Sequence, residues 1–272
     1  MRASSPQPTQ RRNVIYFLPN LFTTANLFCG FYSIIASLQD SFLQAGFAII
    51  VAGIFDILDG RVARLTKVHS KFGEEYDSLA DLVSFGISPA ILIYLWSLES
   101  FGRIGWLASF AFVACGALRL ARFNTKTAVS EKRYFEGLPI PVAAYGLVFT
   151  TFLFYEMMLE ETRNAFNLLL PVILAVLMVS GIKYRSFKDL DLKDRRSVGL
   201  LVFVVFLIMI IAANPAVMMF VIMIGYIASG PIFHFFREKK MKNNLRKSEG
   251  KPDLHLIAKK EGDHHVRHAD EK

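Results

Sequence analysis

Four aspartates set among apolar and small residues are the groups in this chain best suited to chemistry. The stretch from Asp56 to Asp81 reads DILDGRVARLTKVHSKFGEEYDSLAD. Asp56 and Asp59 are three apart, and Asp77 and Asp81 are four apart, so on helices of about 3.6 residues per turn each pair shares one face. In a helical hairpin the two pairs converge. An aspartate at the centre of a membrane span costs about 2.5 to 3.5 kcal/mol on insertion scales and marks a functional site by default. Four that converge repel one another unless a cation neutralises them. The stretch therefore points to a site for one or two divalent metals.

The elements that must position these acids are membrane helices. The chain has 272 residues, of which 53% are hydrophobic, and a mean hydropathy of +0.39, above the roughly 45 to 50% apolar content of a soluble domain. The expected fold is all-α: a polytopic transmembrane bundle of about eight spans. The spans run from about Leu18 to Leu38, Phe42 to Leu65, Gly73 to Leu98, Ile104 to Phe123, Leu138 to Leu159, Phe166 to Ile182, Val198 to Ala213 and Pro215 to Phe236. Only Asn214 and Pro215 mark the turn between the last two. Residues 1–15 read as a disordered N-terminus, 16–196 as a catalytic core built on the first six spans, 197–236 as two additional helices, and 237–272 as a solvated basic tail.

Charge and cysteine content narrow the class further. The formal charge of +8 is concentrated in loops and the tail, which suits an anionic leaflet or phosphate groups better than nucleic acid. Cys29 and Cys115 both sit in apolar segments, so no disulfide framework is expected. Arg2, Arg11 and Arg12 precede an apolar run as in a signal peptide, but the run is too long and, at Asn20, Thr23, Thr24 and Asn26, too polar for a cleaved one. It reads as a retained first span. His264, His265 and His268 in the tail read as solvated residues.

Loop charge sets the orientation. With the N-terminus in the cytoplasm, that side receives Lys67 and Lys71, then Lys126, Lys132 and Arg133, then six basic residues from Lys183 to Arg196, then the tail, while the opposite side receives only Arg103 and Arg163. The positive-inside rule thus places both termini and the Asp56–Asp81 hairpin at the cytoplasmic face of a cell membrane. Soluble substrates are found there.

Small residues flank the acids. Gly60, Ala63 and Gly73 lie on the faces that carry them, where they allow close helix packing or let a phosphorylated ligand approach the backbone. Arg64 extends this face toward its cytoplasmic end, where a cation can meet phosphate.

Asp56, Asp59, Gly60, Ala63, Arg64, Gly73, Asp77 and Asp81 reproduce D-x-x-D-G-x-x-A-R, eight residues, then G-x-x-x-D-x-x-x-D. This resembles the signature of the CDP-alcohol phosphatidyltransferases with no departure. The resemblance implies attack of a hydroxyl on the diacylglycerol-linked phosphorus of a CDP-lipid, with CMP leaving. It implies one or two divalent ions, Mg2+ or Mn2+, held by Asp56, Asp59 and Asp77, with Asp81 as general base and a further ligand. It also implies that Gly60, Ala63, Arg64 and Gly73 line the CDP-lipid site, and that the protein forms a homodimer in a bacterial or archaeal inner membrane. The division of labour is sound physically, since a cation neutralises phosphate charge while the base need only take a proton.

The stretches Leu18–Gly30, Asp81–Pro89, Ala114–Asn124 and Phe135–Ala144 are similar to integral-membrane members of that family that accept L-serine. The implied partners are CDP-diacylglycerol, L-serine and membrane lipid. Asn20, Thr23 and Asn26 recur every three residues near the cytoplasmic end of the first span, where they either bind the nucleotide of the CDP-lipid or join helices by hydrogen bonds. Arg119 lies one turn inside the fourth span and suits an anionic acceptor group such as a carboxylate; Arg122 suits either the acceptor or lipid headgroups. The alternating basic and aromatic residues from Lys183 to Lys188 read as an interfacial segment on anionic lipid. One rival reading is an enzyme of the same family that uses glycerol 3-phosphate, which would need a denser basic pocket. Another is a cation transporter, which would spread its polar residues through the membrane depth.

Overall fold

The structure, a computed structural model, describes residues 9–66, 70–125, 134–157, 165–185 and 212–249, with isolated positions between 202 and 209. Among these residues are seven helices and one short strand pair: α1 (Thr9–Leu38), α2 (Phe42–Thr66), α3 (Lys71–Phe101), α4 (Arg103–Thr125), β1 (Tyr134–Glu136), α5 (Ile140–Glu156), α6 (Ala165–Val179), β2 (Lys183–Arg185) and α7 (Pro215–Glu249). The chain divides into two compact units, Met1–Gly230 and Pro231–Lys272. In the second, the described residues are helical to Glu249.

Five helices hold segments long and apolar enough to cross a membrane: Pro19–Leu38, Phe42–Leu65, Lys71–Phe101, Arg103–Thr125 and Pro215–His234. The shorter apolar helices α5 and α6 have 17 and 15 residues. They occupy the expected fifth and sixth spans. At 1.5 Å per residue each runs about 22 to 26 Å, a little under the hydrocarbon thickness. The seventh expected span, Val198 to Ala213, lies almost wholly outside the described residues. The helices at the two ends run past the apolar spans. Helix α1 begins at Thr9, inside the stretch read as disordered, and α7 continues to Glu249, well into the stretch read as a solvated tail. In both places a polar segment continues a helix that the apolar segment beside it has already nucleated, and extending a helix is far easier than starting one.

Helix α3 is the centre of the bundle. It packs against α1, α2, α4, α5 and α6, and half of its apolar window is buried, more than in any other span. Ser70 caps its start, accepting a hydrogen bond from the Gly73 amide at 3.0 Å, which satisfies one of the free N–H groups of the first turn. Two π-helical stretches, Leu82–Ile87 and Tyr94–Leu98, interrupt it. The first begins immediately after Asp81, and such wide turns are often found beside functional sites. Around α3 the core is built from small and branched residues. Ala36, Ala45, Ala52, Ala143 and Ala144 are buried beside Ile49, Phe85, Leu92, Phe112 and Leu147. Small side chains let backbones approach where lipid offers no hydrophobic drive for helices to associate.

The strands pair antiparallel, with Phe135 opposite Tyr184. Within the stretch read as interfacial, Lys183 to Lys188, Tyr184 departs from that reading. Tyr184 is 1% exposed, and its hydroxyl donates to the Ile227 carbonyl at 3.2 Å. The turn from β1 into α5 depends on Gly137, which has φ +77° and packs against the Met178 carbonyl. Its amide donates to the Ile182 carbonyl at 2.9 Å. A side chain there meets both an unfavourable backbone conformation and an occupied space. Gly137→Ala is therefore expected to lower stability by about 1 to 3 kcal/mol, seen as a lower thermal unfolding midpoint in detergent. Gly181→Ala, where an added Cβ meets nothing within 4 Å, should leave the midpoint unchanged.

Candidate active site

The hairpin of α2 and α3 brings the aspartates together as their spacing predicts. Asp56, Asp59 and Asp77 can each present one carboxylate oxygen such that all three lie within 4.8 Å of one another. Asp59 is 5% exposed, and among the described residues no lysine or arginine makes an ion pair with any of the four acids. Asp77 Oδ1 is buried with no hydrogen-bond partner. A hard divalent cation takes carboxylate oxygens of this kind, so the donor set fits such an ion. Asp81 stands outside that group of three.

Helix α1 orients two of the acids. Thr23 Oγ1 lies 3.0 Å from Asp59 Oδ2 and donates to it, with the Pro19 carbonyl as its alternative acceptor at 3.2 Å. Asn26 Nδ2 donates to Asp81 Oδ1 at 3.1 Å. Asn26 is itself fixed by Ser84, whose hydroxyl donates to the Asn26 carbonyl at 2.9 Å. Thr23 and Asn26, expected either to bind nucleotide or to join helices, thus bond to the acids. Asn20 lies beside the start of α3, where a Cβ added to Gly73 would come 3.6 Å from its Oδ1.

Gly60 separates the two readings of the small residues. A Cβ added there would meet nothing within 4 Å, so helix packing does not require glycine at this position, and the open space suits a ligand. The Arg64 side chain curls back, its Nε donating to the Gly60 carbonyl at 2.8 Å. Ala63 lies on the same stretch of α2 and is half-buried.

The two candidate acceptor arginines part company. Arg122 pairs with Glu136 at 2.9 Å, both side chains well exposed, and donates to the Val179 carbonyl at 3.4 Å, which ties α4 to the strand pair. Arg119 lies deeper, with its Nε buried and unpartnered. Asn124 joins α4 to α3 by donating to Ser78 Oγ at 3.1 Å.

Tyr145 is a site residue that sequence reasoning missed. Its hydroxyl lies against Gly53, one turn before Asp56, where any side chain would overlap it. Its ring meets Phe85 edge-on at 6.2 Å. The available signal was a polar-tipped aromatic in the otherwise apolar helix α5.

A cluster of acids on helices of membrane-crossing length, with open space at Gly60 beside it, suits metal-assisted chemistry. Residues 16–180 match the CDP-alcohol phosphatidyltransferase family, and the chain belongs to it. The chain is 40% identical over 238 residues to the CDP-diacylglycerol--serine O-phosphatidyltransferase of Helicobacter pylori, covering 87% of this chain and 98% of that protein. It is 31% identical over 235 residues to the protein of that name from Mycobacterium tuberculosis, with 83% and 81% covered. It is 41% identical over 170 residues to the archaetidylserine synthase of Methanothermobacter thermautotrophicus, with 61% and 69% covered. Membership sets the transporter alternative aside.

If Thr23 holds Asp59 in position for a cation, Thr23→Val should weaken Mn2+ binding by roughly 10- to 100-fold, the usual effect of losing a group that orients a ligand. Titration of the purified protein followed by electron paramagnetic resonance reads this directly. Asp77→Asn should weaken binding further, and Arg122→Ala should leave it unchanged.

Proposed function

We propose that this enzyme transfers the phosphatidyl group of CDP-diacylglycerol to the hydroxyl of L-serine, giving phosphatidylserine and CMP, at the cytoplasmic leaflet. The observation that carries the reading is the split of the four acids into a group of three and a separate Asp81. Three clustered carboxylates suit a divalent cation, Mg2+ or Mn2+, which when bound neutralises pyrophosphate charge and stabilises departing CMP. Asp81, held by Asn26 at 3.1 Å, suits a proton acceptor. The serine oxygen attacks the diacylglycerol-linked phosphorus as Asp81 takes its proton, and the bond to the CMP oxygen breaks. Asn20, Gly60, Ala63, Arg64 and Gly73 line the CDP-lipid side, while Thr23 and Asn26 hold the carboxylates that face it.

Serine as acceptor is supported by the names of the relatives and by Arg119. A buried guanidinium with an unpartnered Nε suits a planar carboxylate, which arginine binds through parallel hydrogen bonds. Among the described residues, Arg119 is the one arginine with a buried, unpartnered nitrogen. A phosphorylated acceptor such as glycerol 3-phosphate calls for more positive charge.

CMP release by the purified protein with CDP-diacylglycerol and Mg2+ or Mn2+ tests the reading. Release should depend on L-serine, stop with chelator, and stay at background with glycerol 3-phosphate; release with the latter alone would replace the acceptor. Asp81→Asn should cut turnover by about 10²- to 10⁴-fold while CDP-lipid binding persists. Arg119→Ala should raise the serine KM by roughly 10- to 100-fold, as expected for losing charge-assisted hydrogen bonds, with the CDP-diacylglycerol KM unchanged.

A further inference from the structure

The segment of α3 that begins at Asp81 is bonded at two points to one residue of α1. Asp81 Oδ1 accepts from Asn26 Nδ2 at 3.1 Å, and the Ser84 hydroxyl donates to the Asn26 carbonyl at 2.9 Å. Asn26 and Ser84 are both fully buried. In a regular helix, residues three apart stand about 4.5 Å apart along the axis and about 60° apart around it, so Asp81 and Ser84 present to one side of α3. The π-helical stretch Leu82–Ile87 takes over at this point, and Ser84 lies within it.

The second bond needs a close approach of the two helices. A carbonyl inside a helix takes the amide four residues on and keeps one lone pair for a further donor. Ser84 supplies that donor, and it reaches the carbonyl because position 30 is glycine. A Cβ added to Gly30 would overlap the Ser84 hydroxyl and come 2.7 Å from the Ser84 Cα, which is backbone and cannot swing aside. The Asn26 side chain has little else to hold it. Its Oδ1 is buried without a partner, so among the described residues its amide is fixed through the bond from Nδ2 to Asp81. The direction of that bond depends on where the Asn26 backbone stands against α3, and the Ser84 hydroxyl sets this.

Resting on the reading of Asp81 as proton acceptor, we infer that Ser84 is a positioning residue for the reaction: through Asn26 it aims the Asp81 carboxylate at the attacking hydroxyl, and Gly30 provides the approach. Ser84 acts on the base and on neither substrate.

The test is a mutant cycle read in CMP release by the full chain at saturating L-serine, CDP-diacylglycerol and Mn2+. Ser84→Ala should lower kcat by roughly 10- to 100-fold, the scale on which a misplacement of about 1 Å acts, with both KM values and Mn2+ affinity unchanged. In an Asn26→Ala background, where the side chain that carries the effect is gone, the same substitution should lower kcat by no more than about twofold. Ser84→Cys keeps the volume and has a weaker donor. Its kcat should fall between those of the wild type and Ser84→Ala, and it carries the test if the alanine variant does not fold. Ser88→Ala, which removes a buried hydroxyl without a partner one turn further along α3, should leave kcat as in the wild type. An unchanged kcat in Ser84→Ala and Ser84→Cys, an equal loss in Ser88→Ala, an equal loss with and without the Asn26 side chain, or a rise in KM or weaker Mn2+ binding in place of the kcat loss overturns the inference and leaves the serine reading standing. Turnover retained in Asp81→Asn overturns the base assignment and this inference with it.

Discussion

Repulsion among the clustered carboxylates is the constraint on which the rest of the structure depends. Two unit charges 4.8 Å apart repel by roughly 3 to 4 kcal/mol at an effective dielectric constant near 20, and three mutual neighbours repel three times over. An interhelical hydrogen bond in a membrane averages about 0.6 kcal/mol, so Thr23 and Asn26 cannot hold the acids together by themselves. A divalent cation offsets the repulsion directly. The protein's part is to keep the carboxylates converged, and the bundle does this by packing the helix that bears two of them against five others.

That central position of α3 explains features that are otherwise unconnected. The wide turn after Asp81 begins where α3 passes from the polar site into the apolar core, and Ser84 within it bonds back to α1. Asn26 therefore holds Asp81 with its side chain and is itself held through its backbone, so the proposed base is positioned by two contacts on one residue. Tyr145 closes the opposite side against Gly53. In this way the acids bond to α1, and α5 packs on α2 one turn away, without losing the open space at Gly60.

The site was legible in the sequence to the extent that it follows from helical spacing. Asp56 with Asp59, and Asp77 with Asp81, lie within one helix each, so their shared faces follow from the pitch alone. Their convergence needed only a hairpin. The bonds from Thr23 to Asp59 and from Asn26 to Asp81 join positions 36 and 55 residues apart, and nothing local states which side chain meets which. Arg122 illustrates the same limit. An arginine leaving a span reads equally as a headgroup or acceptor ligand until Glu136 is placed beside it. Tyr184 misled because basic and aromatic alternation is the pattern of an interfacial segment, whereas strand pairing with β1 turns this residue inward. The helix ends at Thr9 and Glu249 were missed for a different reason, since composition marks where a span stops being apolar and not where its hydrogen bonds stop.

These differences separate two kinds of information in the chain. The reaction is encoded locally, because a cation and a base need carboxylates at fixed helical offsets, and a short motif supplies them. In the proposed reading the acceptor is recognised elsewhere, at Arg119 on α4, a helix that carries none of the four aspartates. On that reading a change of acceptor can arise without touching the four aspartates. Position along α7 is a sensitive variable as well: a displacement of one residue moves a side chain by about 1.5 Å along the axis and 100° around it, enough to take Gly230 away from the Tyr184 ring. Anchors as rigid as Gly230 against the Tyr184 ring are what such an arrangement requires.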